Sequence, residues 1–253
     1  MFWIFGDSYS ERIISDNDIS FCWIESVPKY FNQEVINLSL GSTSLSYTYS
    51  CFESKRNEIQ PNDIIIICLT HINRQWFFID RPMLSDSWSF DHHEDFYKIE
   101  EKNAFEYYNL YLNNIKNQEL GLINFLYNLN QLAENKVKII VLSSFPETEL
   151  IYKNQTDRWP NLNFSKGSIM PISYQEIHDN DRDIIKETRL KRDPRAGHFL
   201  KSTHPILTNK IIKNITENTL LDLTIDFPKG IITLDKINDK EFVKNEFFYN
   251  ILL

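Results

Sequence analysis

The sequence predicts a single α/β domain in which helices cover both faces of a mostly parallel β-sheet. Short apolar runs alternate along the chain with longer segments whose apolar residues recur every three or four positions. One of these runs, Ile64 to Leu69, is apolar throughout and rich in β-branched residues, which suits a parallel strand buried on both faces. The chain has 253 residues, 42% of them hydrophobic, which is enough apolar side chain for one large core.

Taken in order, Phe2 to Phe5 reads as a strand that stops at Gly6. Phe21, Ile24, Val27, Pro28 and Phe31 mark the first helix, and Val35 to Leu38 a second strand closed by the turn at Gly41. Leu45 to Asn57 is expected to be helical, and Pro61-Asn62-Asp63 introduces the Ile64 to Leu69 strand. Leu122, Leu126, Leu129 and Leu132 form the stripe of a long helix that leads into a fourth strand, Val137 to Leu142. Ile206 to Ile215 makes the last amphipathic helix. Strands alternating with helices imply βαβ units, and such sheets bind ligands beyond the carboxyl ends of their strands. The residues after Phe5, Leu38, Leu69 and Leu142 are therefore the place to look for chemistry.

Two stretches stand outside the alternation. An aromatic insertion runs over about 75–97 and carries Trp76, Phe77, Phe78, Trp88 and Phe90, which suit core packing or stacking at the mouth of a site. A C-terminal extension, 219–253, follows the domain of residues 1–218. With Gly230-Ile-Ile-Thr-Leu and Phe247-Phe248 it reads as an extra sheet edge or as a contact with a second copy or another partner.

Charge and composition narrow the function. The net charge is −8 with no basic cluster, which argues against a nucleic-acid surface. No apolar run reaches the roughly 20 residues of a membrane span. The opening Met1-Phe-Trp-Ile-Phe is too short, and lacks the basic stretch, for a signal peptide. A cytoplasmic or virion-associated protein is expected. Cys22, Cys51 and Cys68, odd in number and without paired spacing, read as buried thiols. The sequons at Asn37, Asn154, Asn163 and Asn214 read as chance matches in an asparagine-rich chain. Asp91-His92-His93-Glu94-Asp95 packs ligand-type residues too tightly to converge on one ion and reads as a solvated loop, as does His178 with its neighbouring aspartates.

The chemically suggestive segment is Gly6-Asp7-Ser8-Tyr9-Ser10, directly after the first strand. A serine at such a turn presents its hydroxyl at the rim of the sheet, with its backbone N–H aimed where an oxyanion would form. Gly6 permits the tight turn, and Asp7 can accept hydrogen bonds from nearby backbone N–H groups. As a bare pattern it also fits a polar turn or helix cap.

With Val35-Ile-Asn37-Leu-Ser-Leu-Gly41-Ser42 as a second block, this segment resembles the opening of the SGNH (GDSL-like) hydrolases. The third block, Cys68-Leu-Thr70-His71-Ile72-Asn73-Arg74, departs from that family's Gly-x-Asn and is similar to divergent phage-type members. The resemblance implies a three-layer α/β/α sandwich with a flavodoxin-like sheet of about five strands and Ser8 as nucleophile. Oxyanion donors would be the N–H of Ser8, that of Gly41 or Ser42, and the Asn73 side chain, with His71 or Thr70 as substitutes. The base falls in Asp193-Pro-Arg195-Ala-Gly-His198-Phe-Leu-Lys-Ser-Thr-His204-Pro-Ile206-Leu207: His198 fits the family spacing, and His204 is the rival. The family's acid position holds Arg195 or Lys201, so Asp193 becomes the candidate to orient the imidazole.

The implied activity is two-step hydrolysis of a small acyl ester or an acetylated carbohydrate, with no metal or organic cofactor. The alternative is a catalytically weak SGNH-like scaffold with a binding or structural role, for instance in a virion. A nucleotide-binding flavodoxin-like domain is a further alternative, though the glycine spacing of a dinucleotide fingerprint is missing.

Overall fold

The computed structural model describes residues 1–12, 22–41, 43–72, 74, 107, 114–175 and 203–227. Six strands form one parallel sheet: β1 (Phe2–Phe5), β2 (Val35–Asn37), β3 (Ile64–Leu69), β4 (Lys138–Ser143), β5 (Leu162–Ser168) and β6 (Leu221–Asp222). Their spatial order is β2-β1-β3-β4-β5-β6, the flavodoxin-like order with one strand added at the far edge. The expected first and third strands have the predicted limits. The second ends one residue earlier, and the fourth is shifted by one.

β1, β3 and β4 alternate their side chains between two cores. Phe2, Ile4, Ile66, Cys68, Ile140 and Leu142 face helices α1 (Trp23–Tyr30) and, last of the described helices, Thr203–Glu217. Trp3, Phe5, Ile65, Ile67, Ile139 and Val141 face α2 (Leu45–Lys55) and α3 (Ile115–Ala133). All four predicted leucines of α3 lie in this second core. Two short helices follow β4 and β5: α4 (Pro146–Tyr152) and α5 (Met170–Gln175). The final helix, Thr203–Glu217, is therefore α6.

Asp63, just before β3, locks the amino-terminal end of the sheet. It accepts hydrogen bonds from the Trp3 indole (2.8 Å), the Gln60 N–H (2.9 Å) and the amino terminus (2.9 Å). Burial alone pushes the Asp63 carboxyl up, but these hydrogen bonds outweigh it and hold the group below its ordinary value.

β5, which sequence periodicity does not flag, pairs irregularly. Val141 is opposite Phe164, but Ser143 is opposite Ser168, so two steps along β4 match four along β5. Gly167, in the left-handed region at φ +85°, sits in this bulge, and its N–H donates to Glu149. The start of the 219–253 extension belongs to the domain: β6 closes the sheet, and Leu221, Leu223 and Phe227 enter the first core. Among the described residues, no helix is long and apolar enough to cross a membrane.

Three of the sequon asparagines serve the fold, their amide nitrogens donating to backbone carbonyls: Asn37 to Ser10, Asn163 to Ile139 and Asn214 to Thr219. Cys22 and Cys68 are buried thiols, as expected, and Cys51 is half-buried. The aromatic insertion at 75–97, the Asp91–Asp95 run, His178 and the Gly230 and Phe247 segments lie outside the described residues.

Candidate active site

The strand order reverses direction between β1 and β3, and the crevice beyond their carboxyl ends is where a sheet of this kind receives ligands. The Gly6-Asp7-Ser8 turn occupies that position. Gly6 is required by close approach: a Cβ there would lie 2.6 Å from the Cys68 Cβ and 2.7 Å from the Cys68 carbonyl oxygen. The chain can therefore leave β1 hard against β3 only with glycine. Cys68 is sealed below this contact, and burial, reinforced by the Asp7 charge, pushes its thiol up and keeps it protonated.

Asp7 is fully buried. Its Oδ1 accepts from the Tyr9 N–H (3.1 Å) and from the Ser144 hydroxyl beyond β4 (3.0 Å). Oδ2 lies 4.0 Å from Nη1 of Arg74, beyond β3. The Asp7 carboxylate thus ties the ends of β1, β3 and β4 together beneath the next residue, Ser8, which is half-buried and so retains contact with solvent.

The β2 end is tied in by the backbone: the Leu38 N–H donates to Ile4 (2.8 Å) and the Leu40 N–H to Gly6 (3.1 Å). Asn37 reinforces this by donating to the Ser10 carbonyl at 2.7 Å. Gly41 arrives beside the serine; a Cβ on it would meet the Ser8 Cβ at 3.4 Å and the Glu11 carboxylate at 2.8 Å. The backbone of Gly41 can approach Ser8 this closely because it carries no side chain.

Phe145 is the hub of the β3 and β4 ends. Its ring meets Tyr9 edge-on at 6.0 Å and His71 at 5.4 Å, and Arg74 lies over its face at 4.9 Å. Arg74 also donates to the Thr70 hydroxyl at 3.1 Å, while the Thr70 carbonyl accepts from Thr148 at 2.9 Å. Thr70 is thus an internal fastener. His71 Nε2 faces the Glu147 carboxylate at 3.9 Å, and burial pushes the Glu147 carboxyl above its ordinary value.

His204, the rival base, is buried in the first turn of α6. Its Nδ1 accepts from the Trp23 N–H at 3.4 Å, and the Trp23 indole in turn donates to the Tyr9 carbonyl at 3.2 Å. A neutral imidazole that accepts at Nδ1 carries its proton on Nε2.

Ser8, Gly6, Asp7 and Gly41 are brought together, with Thr70 and His71 sharing the crevice. Ser42, Asn73, Asp193 and His198 lie outside the described residues. Ser144, Phe145, Glu147 and the Glu11 carboxylate are contributors that motif reading missed. Their signal was positional, since three of the four follow the predicted fourth strand. No family model matches the chain, and no curated protein matches it in sequence.

Proposed function

We propose that this chain is a serine ester hydrolase of the SGNH type, acting through an acyl-enzyme on Ser8. The observation that carries the reading is the half-buried Ser8 at the β1/β3 switch point, with the Gly41 backbone packed against it and Asp7 pinned below. The Ser8 Oγ attacks the ester carbonyl carbon while its proton passes to His198, whose ring Asp193 orients. The tetrahedral oxyanion accepts from the N–H groups of Ser8 and Gly41 and from the Asn73 amide. Losing one such donor typically costs about 10²–10³ in rate.

Collapse expels the alcohol, which takes the proton from His198. Water then gives a proton to His198, attacks the acyl carbon and releases the carboxylic acid, returning the proton to Ser8. The reaction calls for no metal or organic cofactor. The natural substrate class is a short acyl ester, including an acetylated carbohydrate. His198 is preferred to His204 on the spacing of the histidines in the resembling family, and the Trp23 N–H donates to Nδ1 of His204 at 3.4 Å.

The test is p-nitrophenyl acetate hydrolysis by the wild type beside Ser8→Ala, His198→Ala and His204→Ala. Ser8→Ala and His198→Ala are expected to lose about three orders of magnitude or more in kcat. His204→Ala is expected to keep most of its kcat and to lose stability. A wild type no faster than folded Ser8→Ala overturns the reading and leaves an SGNH-like binding scaffold. A loss confined to Ser8→Ala and His204→Ala moves the base to His204.

A further inference from the structure

β1 and β3 leave the sheet side by side, which brings His71 to the level of the Ser8 turn. Phe5 pairs with Ile67 in parallel register; Ser8 is three residues beyond the one and His71 four beyond the other. Neighbouring strands lie roughly 4.8 Å apart. Tyr9, the residue after Ser8, and His71 meet the same Phe145 ring edge-on, at 6.0 and 5.4 Å. The His71 side chain is 12% exposed, so it is packed in place without being sealed.

Glu147, in the first turn of α4, faces this imidazole. Its Oε2 lies 3.9 Å from His71 Nε2, and that oxygen is buried and accepts no hydrogen bond from any described residue. A buried carboxylate oxygen left without a donor is costly, and burial pushes the Glu147 carboxyl above its ordinary value. The N–H at Nε2 of His71 is a donor within reach. A carboxylate behind one imidazole nitrogen fixes the ring and favours its charged form. Two more charges stand near. Arg74 lies over the Phe145 ring at 4.9 Å and would oppose a second cation, but Asp7, 4.0 Å from Arg74, offsets it.

We infer that Glu147 holds His71 as an imidazolium, and that this charge stabilises the oxyanion formed at Ser8. His71 is then a further catalytic residue and Glu147 its positioning residue. The catalytic role rests on the esterase reading, whereas the ion pair does not. His71 adds a positive charge to the neutral N–H donors of Ser8 and Gly41, and charge-assisted hydrogen bonds are roughly twice as strong as neutral ones. The pH dependence follows with a definite sign. His198 must be neutral to accept the Ser8 proton, so activity rises with pH through its pKa. His71 must be charged, so activity falls again as pH rises through its own, and the profile is a bell.

Two measurements on the full chain test the inference. Proton–carbon correlation NMR of the histidine rings, with the His71 signal assigned through His71→Gln, reads the ion pair. The His71 pKa is expected above the ordinary value of about 6.5 and to drop by about one unit in Glu147→Gln. A wild-type value at or below about 6.5, or one that Glu147→Gln leaves unchanged, overturns the inference. Hydrolysis of p-nitrophenyl acetate against pH, with the rate of folded Ser8→Ala subtracted, reads the catalytic role. His71→Gln is expected to lower kcat roughly 10²-fold and to abolish the alkaline limb. Glu147→Gln should move that limb to lower pH, and Glu147→Asp, which keeps the charge, should restore it toward the wild-type position. A Ser8-dependent enzyme whose kcat and alkaline limb survive His71→Gln overturns the catalytic role and leaves the esterase reading standing. Absence of Ser8-dependent activity removes the esterase reading and the catalytic role together, while the NMR shift still decides the ion pair.

Discussion

A carboxylate that accepts three donors at the edge of a core is worth more than its charge alone. Asp63 accepts from the Trp3 indole, the Gln60 N–H and the amino terminus, and so joins β1 to the entry of β3. Asp63→Asn keeps one acceptor but turns an N–H₂ group toward the donors, and it is expected to cost about 2–3 kcal/mol in denaturant unfolding. The pH dependence has a definite sign. The native carboxyl is held below its unfolded value, so the stability it supplies is complete above the unfolded pKa of about 3.9 and lost as pH falls through the native one. Asp63→Asn should flatten that acid-side fall, and an unchanged slope would show that other carboxylates govern it. Residue roles at the other end of the sheet were legible in part. The glycine-aspartate-serine pattern marks Ser8, but nothing in the sequence says that Ser144 will reach Asp7 across 137 positions. Nor does it say that the Trp23 N–H will occupy His204 across 181.

At the scale of an element, legibility followed periodicity. α3 carries leucines at helical spacing and β3 is apolar throughout, and both appear where the pattern puts them. β5 escaped because its sequence, Leu162-Asn-Phe-Ser-Lys-Gly-Ser168, alternates only over its first four residues and holds no apolar run. It is a strand because β4 offers a partner and a bulge at Gly167 absorbs the mismatch. β6 is two residues long and exists through its pairing with Ser165 and Lys166. α3 also yields a prediction through Gly121. With open space around its Cβ, Gly121→Ala should gain about 1 kcal/mol of helix propensity and raise Tm by roughly 2–4 °C. A lower Tm would mean that the glycine answers a packing need.

For the whole molecule, the sheet is the shared wall of two cores. Ile66 and Ile67 are adjacent and fully buried, yet they project into opposite cores. Ile66→Ala and Ile67→Ala should each cost about 2–5 kcal/mol. Because the backbone of β3 is common to both cores, each should lower one transition, with far-UV circular dichroism and tryptophan fluorescence coincident. Separate transitions would mean that the cores melt independently. The sequence alone determined the alternation of strands and helices, the inward set of apolar residues and the serine turn after β1, since these depend on local periodicity and turn chemistry. It also foresaw the parallel sheet, because helical crossovers join parallel neighbours. Only the tertiary structure decided which strand ends meet. The Asp7–Ser144 bond, the Arg74–Phe145 stack and the Trp23–His204 hydrogen bond arise from groups far apart in the chain. Strand order brings them together, and no local pattern encodes it.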